Sequence, residues 1–417
     1  MQKAGCYTDE RQGGILQCFC GCSHSCMGVE AMNDYKKYWI WLSMTLGASA
    51  RVDDILSAFP EPHKIFEASR NERILSGVFS KTQLDRFDCA DFDSVLSAMS
   101  VCQKNGWQII TPDDAFYPPL LDKLPNKPLV LYVDGDIGCV SNKVTVGVVG
   151  TRNPCNESIA IARSISGGLA SAGAVVISGG ALGIDSAAHE GALDAGGKTV
   201  CVLGCGLGTR YLMDNEAMRR RIAGNGALIS EFTPFANASR TSFPLRNRII
   251  SGLSYGVLVV EAGEKSGSLI TARCANEQGR EVFAIPGSVL STAYSGANKL
   301  IRDGAKAATC AADILQPFSV MYPDLLSLEA ASDSMPVISA KEETVRNKKP
   351  EVIKKECPSG LDPDTQAVYN LFGEDSLHPD EICAISGLSP SKVISALMQL
   401  EMADYIEQTE GKNYILK

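Results

Sequence analysis

Hydrophobic positions along this chain change their spacing near residue 143. From residue 33 to 105 they recur at helical intervals in short segments, YKKYWIWLSMTLG, RVDDILSAF, PHKIFEAS and FDSVLSAM, separated by Gly, Pro and Ser. They predict a small helical domain over 33–105. The proline-rich stretch TPDDAFYPPLLDKLPNKPLVLYVDGD (111–136) reads as a packed connector that ends in a strand and turns at Asp134-Gly135. From Lys143 onward, continuous apolar runs (VTVGVV, AVVISGG, KTVCVLGCG, GALISEF, GVLVVEAG, EVFAIPG) alternate with helical ones (ESIAIARSISGGLASAG, IDSAAHEGALDAGG, SGSLITARCANEQG). Strands that are apolar on both faces, each followed by a helix, predict an α/β fold. It is a Rossmann-like, doubly wound, mostly parallel sheet occupying 106–315, with ligands expected at the C-terminal strand ends.

The pattern then breaks. Residues 316–360, including SAKEETVRNKKPEVIKKECPSG, are charged and poor in aromatics and read as a flexible linker. The last segment, 361–417, offers three short helical patterns and a hairpin turning at Glu410-Gly411. That predicts a winged helix with SPSKVISALMQL in the recognition position.

Composition adds bounds. The chain has 417 residues, 45% hydrophobic and 21% charged, enough for two or three domains with ordinary cores. No apolar run is long enough to cross a bilayer and no secretory segment is apparent, so a cytoplasmic protein is expected. The 15 cysteines mostly sit singly in apolar runs, as small hydrophobes in a reduced compartment. The exception is CFCGCSHSC (18–26), dense enough to hold zinc or copper but without paired C-x2-C spacing. MNDYKKYWIW reads as a domain start at Met32, so residues 1–31 are expected to be a disordered or mis-annotated extension.

The net charge of −9 is unevenly spread. Segment 361–417 carries ten acidic and three basic residues, net −7, a poor neutraliser of phosphates. Segment 143–315 carries 17 Lys plus Arg against 13 Asp plus Glu, net +4, and is where a polyanion belongs.

Four motifs in that segment suit phosphate. Gly150-Thr151-Arg152 closes the first apolar strand. Its backbone N–H groups, with a helix from about Glu157, form an anion nest, and Arg152 offers a forked guanidinium. In FPLRNRIISGLS, Arg246 and Arg248 flank Asn247 at an expected helix start, and Phe243 offers a ring for base stacking. Ser266-Gly267-Ser268 opens another helix as a second nest. Lys299 and Arg302 share one helical face. LGCGLG (203–208) lacks the spacing of a dinucleotide loop and reads as a tight turn. With four histidines and no paired carboxylates, no catalytic residue, cofactor or metal is assigned.

GVVGTRNP, VISGGALGIDSAAHEGAL, the run from Phe243 to Gly287, and GANKLIRDGA closely resemble the bacterial DNA-processing protein A (DprA, or Smf) family over about residues 33–315. The resemblance implies a non-enzymatic, sequence-independent binder of single-stranded DNA that protects it and promotes loading of the RecA recombinase, in DNA uptake and recombination. It also implies a homodimer and a SAM-like N-terminal domain, and it gives Arg152 and the Arg246-Asn247-Arg248 triplet their phosphate roles. The sequence departs from the family at Leu182 and at Tyr211-Leu212-Met213, where a basic or polar residue is common, and in TLGASARV, which lacks helix–hairpin–helix glycines. The competing expectation is a nucleotide-hydrolysing enzyme of the phosphoribohydrolase type at GEKSGSLITA. A protein-interaction adaptor is a third.

Overall fold

The computed structural model describes residues 26–48, 50–209, 215–332, 362–372, 377–403, 405–408 and 413–416. The chain divides into two compact units, Met1–Pro336 and Val337–Lys417, each taken by itself below.

In the first unit, β1 (Gln108–Ile110), β2 (Leu131–Gly135), β3 (Thr145–Val149), β4 (Val175–Ser178), β5 (Thr199–Leu203), β6 (Ala227–Ser230), β7 (Gly256–Val259), β8 (Glu281–Ala284) and β9 (Lys306–Ala307) form one sheet. Its order is β1-β2-β6-β5-β4-β3-β7-β8-β9. The β1–β2 and β2–β6 pairings are antiparallel, and every pairing from β6 to β9 is parallel. Strands β3 to β7 are buried at every position, as helices on both faces require. On one face, Ile177, Val202, Val257 and Val259 meet Ile249 and Ala272 of helices Ser242–Gly252 and Ser268–Glu277. On the other, Val146, Val148 and Val176 meet Ile165, Ala188 and Ile314 of helices Asn156–Ser171, Ile184–Asp194 and Ala311–Met321. Strand β3 lies between β4 and β7, so successive connections leave it in opposite directions, and this switch point is where a crevice forms.

Six helices precede the sheet, from Cys26–Leu46 to Phe92–Asn105. Trp39, Ile40, Trp41 and Leu42 share a core with Val130 and Tyr132 of the β2 region, so packing is continuous across the sequence boundary at 105. The connector is packed as expected: Tyr117, Leu121 and Leu124 are buried, and Tyr117 Oη donates to Pro128 O at 2.8 Å.

Two boundaries are corrected. The first helix begins at Cys26, so residues 26–31 are helical rather than part of an extension; residues 1–25, with most of the cysteine cluster, lie outside the described residues. The expected linker also starts too early. Helix Ala311–Met321 runs through Pro317, Phe318 is 1% exposed, and helix Leu328–Ser332 buries Ala331 in the same core. Ser327 N donates to Ala172 O at 3.0 Å. The chain therefore stays on the sheet through Ser332, and 333–360 lies outside the described residues.

The second unit has helices Pro363–Leu371, Pro379–Ser386 and Pro390–Met402, and a β10 (Ile406–Gln408)–β11 (Tyr414–Leu416) antiparallel pair. Val368, Ile382, Val393, Leu397 and Ile406 form its core, as a winged helix does. The recognition helix exposes Ile394, Met398 and Met402, and its Lys392 is paired with Asp364 at 2.8 Å. The Glu410-Gly411 turn lies outside the described residues. Among the described residues, no helix is long and apolar enough to cross a membrane, and no group of three or more His, Cys, Asp or Glu is placed to hold a metal.

His189, on the sheet-facing side of helix Ile184–Asp194, is fully buried. Thr199 Oγ1 gives its hydrogen to Val176 O at 2.8 Å, so it accepts from His189 Nδ1 at 2.7 Å, and Nε2 is left without a partner. The ring is thus neutral. Burial, aided by the charge of Arg246, pushes its pKa from 6.5 down to about 3. The unfolded chain takes this proton near pH 6.5 while the folded one does not, so stability falls as pH falls below 6.5. The loss is up to ~1.4 kcal/mol per pH unit. Urea midpoints between pH 6.5 and about 5, above the ordinary carboxylate range, should fall in the wild type and fall less in His189→Gln. A second expectation concerns the corrected boundary. Phe318→Ala should cost about 3–5 kcal/mol in urea unfolding, whereas Val320→Ala, at an 83% exposed position, should stay within about 0.5 kcal/mol.

Candidate functional site: a cleft at the C-terminal end of β3

A cleft of about 460 Å³ opens where β3 ends. Its walls bring together Gly150, Thr151, Arg152, Phe243, Arg246, Asn247, Ser266, Gly267 and Ser268 from three separate stretches of sequence. Asp185, Arg240 and Thr271 also line it.

The first wall is the turn after β3. Gly150 permits a close approach, because a Cβ there would stand 2.6 Å from Ile184 Cγ1. Gly183 has φ +86, and its Cβ would lie 2.6 Å from Thr151 O. The turn is held from both sides: Thr151 N donates to Glu261 O at 2.9 Å, and Ile184 N donates to Thr151 O at 3.2 Å. Cys155 N donates to Glu261 Oε2 at 3.1 Å, just before the helix that starts at Asn156. The Thr151 amide, expected to help cradle an anion, and the Cys155 amide are therefore spent inside the protein. The donor left facing outward is the exposed Arg152 side chain, whose guanidinium carbon lies 5.0 Å from the centre of the Phe243 ring. That cation–π contact holds a cation and a stacking surface together at the cleft mouth.

The floor is Arg246. It sits inside helix Ser242–Gly252, only 4% exposed, and donates through Nη1 to Gly179 O at 2.6 Å and to Val202 O, and through Nε to Asn247 Oδ1 at 3.1 Å. The Asp185 carboxylate lies beside it over Gly179, where a Cβ would come within 2.3 Å of Arg246 Nη1 and 2.7 Å of Asp185 Oδ2. Burial pushes the Asp185 carboxyl up from the ordinary carboxylate value, and Arg246 pulls it the other way. Burial lowers the Arg246 pKa, opposed mainly by Asp185.

The third wall is the turn into helix Ser268–Glu277. Ser266 Oγ and Ser268 Oγ are hydrogen-bonded at 2.8 Å, and Asn247 Nδ2 donates to Gly267 O at 3.4 Å. No described group accepts the Gly267 amide hydrogen. This nest, like the Arg152 amide of the first turn, keeps a backbone donor for an anion.

Three expected site residues are not in the cleft. Arg248 follows Arg246 by two positions within one helix, which turns it roughly 200° away. It is buried and ion-paired with Glu231 on the far side. Lys299 and Arg302 are exposed in the last turn of helix Ser295–Arg302, whereas it is the first turn, at Gly296 and Ala297, that bonds to Ala262 O beside the β7 end. Conversely, Arg240 and Asp185 were not singled out from sequence. Arg240 stands three residues before Phe243 and could have been found as the next cation of the same stretch. Leu182 is exposed beside the lining residue Ala181, and 210–213 lie outside the described residues.

Known proteins resemble this chain over most of its length. The family profile described as DNA recombination-mediator protein A matches residues 108–319, and that of the DprA winged helix domain matches 354–412. Protein Smf of Escherichia coli is 32% identical over 378 residues, 89% of this chain and 94% of its own. Protein Smf of Synechocystis is 35% identical over 327 residues, 75% and 80% of the two chains. The X-ray structure of DNA processing protein A from Streptococcus pneumoniae superposes with TM-score 0.58 at 32% identity, covering 67% of this chain and 97% of its own.

The buried Arg248–Glu231 pair predicts a stability effect. Arg248→Met removes the buried cation paired with Glu231 and should cost up to about 3–5 kcal/mol in urea unfolding, while the double variant Glu231→Leu/Arg248→Met should recover part of that loss.

Proposed function

The chain belongs to the DNA recombination-mediator protein A family, and we propose that its β3 cleft binds single-stranded DNA without sequence preference. The observation that carries this reading is the pairing of Arg152 with Phe243 at the cleft mouth, with Arg240 and the Ser266–Ser268 nest on the same lining. A strand alternates phosphates with flat bases, and this wall alternates guanidinium with an aromatic ring. The contacts are to features every nucleotide shares, so nothing in the lining selects a base. Arg152 and Arg240 neutralise phosphates, Ser266-Gly267-Ser268 supplies the backbone donor, and Phe243 stacks a base. Arg246 shapes the floor and adds its positive field from beneath.

Protection of the strand, promotion of RecA loading and pairing as a homodimer complete the proposal. These rest on the family resemblance. The winged helix, with net −7 and an apolar outward recognition helix, fits a protein partner better than a phosphate backbone.

One observation favours the hydrolytic reading: a buried carboxylate with a raised pKa, Asp185, lines the cleft. Against it, Asp185 accepts from Ala181 N and is flanked by Arg246, as a charge balancing the floor would be. Incubation with nucleoside monophosphates separates the two, because only an enzyme releases base, and only in the wild type and not in Asp185→Asn.

Anisotropy of a labelled oligothymidylate titrated across salt concentrations tests binding directly. Affinity should fall linearly in log–log form, and Arg152→Ala and Arg240→Ala should each lower the slope by roughly 0.7. Phe243→Ala should cost about 1–3 kcal/mol, the range for a stacked base. Wild type that binds no oligonucleotide at any salt overturns the reading.

A further inference from the structure

A second recess, of about 10 Å³ and so with room for a single water or one phosphate oxygen, opens beside the cleft at the C-terminal ends of β4 and β5. Gly180, Gly204, Cys205 and Arg219 line it, and it shares Arg152 and Arg246 with the cleft. Arg219 comes from helix Glu216–Asn225, whose Met218 and Ile222 pack with Cys201, Leu203 and Leu228. It is the first of three consecutive arginines, and its neighbours differ from it. Arg220 is exposed and paired with Glu216 at 3.1 Å, and Arg221 is exposed and paired with Asp194 at 2.8 Å. Arg219 is 7% exposed, its Nε has no hydrogen-bond partner, and no described carboxylate pairs with it. The arginines that water could solvate have counter-ions, and the one withdrawn from water does not.

A guanidinium taken out of water with no partner is unfavourable until an anion reaches it. The lining described here holds three arginines and no carboxylate. The recess also sits at the strand ends of a doubly wound sheet, where ligands collect. We propose that this recess is a phosphate subsite in which Arg219 is the buried contact, continuing the cleft past Arg152 so that one phosphate of the bound strand seats against it. The strand as ligand rests on the function proposed above; the phosphate site does not. A residue of this kind lowers the stability of the free protein in exchange for binding.

The test uses the full chain and Arg219→Met, which keeps volume and removes charge, with Arg219→Lys alongside. Thermal unfolding is followed with and without inorganic phosphate. Phosphate should raise the wild-type midpoint more than an equal concentration of sulfate-free buffer of matched ionic strength does, that rise should shrink in Arg219→Met, and the ligand-free midpoint of Arg219→Met should match or exceed wild type. Oligonucleotide affinity should drop roughly tenfold in Arg219→Met, as for a lost charge-assisted hydrogen bond, with partial rescue by Arg219→Lys. A loss confined to 5′-phosphorylated oligonucleotides places the strand end in the recess; an equal loss on 5′-hydroxyl strands places an internal phosphate there. Either supports the subsite. An unchanged phosphate effect in Arg219→Met overturns it, as does a lowered midpoint with unchanged affinity, which makes the arginine structural. If wild type binds no oligonucleotide yet keeps an Arg219-dependent phosphate shift, the subsite stands and the single-strand reading falls.

Discussion

The cleft depends on one buried guanidinium. Strand ladders stop where β4 and β5 end, and the carbonyls of Gly179 and Val202 need donors there that neither strand supplies. Arg246 reaches both from helix Ser242–Gly252 and bonds Asn247, which in turn holds Gly267 O. A single side chain thus ties two strand ends and a helix to the turn that opens the next helix. Asp185 beside it offsets the charge, and Gly179 is a glycine because a Cβ would collide with both groups. The solvated part of the site is then left to Arg152, which leans on Phe243 above this buried floor.

The same reasoning explains what the sequence discloses. Parallel strands covered on both faces are apolar at every position, so β3 to β8 stand out without any long-range knowledge. Their C-terminal ends follow from chain direction alone, which is why Gly150–Arg152 and Ser266–Ser268 are found together as expected. Residues 316–332 are harder. Pro317 reads as a helix breaker and charged sequence follows nearby, yet Phe318 and Ala331 are fixed by contacts with residues far earlier in the chain.

Individual side chains are harder still, because their roles depend on direction and on who else claims a donor. Arg246 and Arg248 look alike in FPLRNR, but a helix starting at Ser242 rather than near them sends the two to opposite sides. The Thr151 and Cys155 amides are claimed by Glu261, more than a hundred residues away, which no local pattern reveals. Arg219 is a different case. Asn215, Met218, Arg219 and Ile222 follow the i, i+3, i+4, i+7 spacing of a buried helix face, and all four are buried. An arginine in a core position is a signal that periodicity carries, provided the polar member of the face is not dismissed as one of a solvated run.

A net charge of −9 does not contradict the proposed binding of a polyanion. At physiological salt the Debye length is about 8 Å, so exposed acidic groups farther than that from a bound phosphate are largely screened. What counts is the charge within reach of the strand. There the exposed carboxylates beside Arg163, Arg220 and Arg221 are spent on those arginines, while Arg152 and Arg240 line the cleft with no carboxylate paired to either among the described residues. Two exposed cleft arginines with no described carboxylate paired to them, one of them beside a ring, favour an unpaired strand, whose bases are free to stack, over a duplex, whose bases are not.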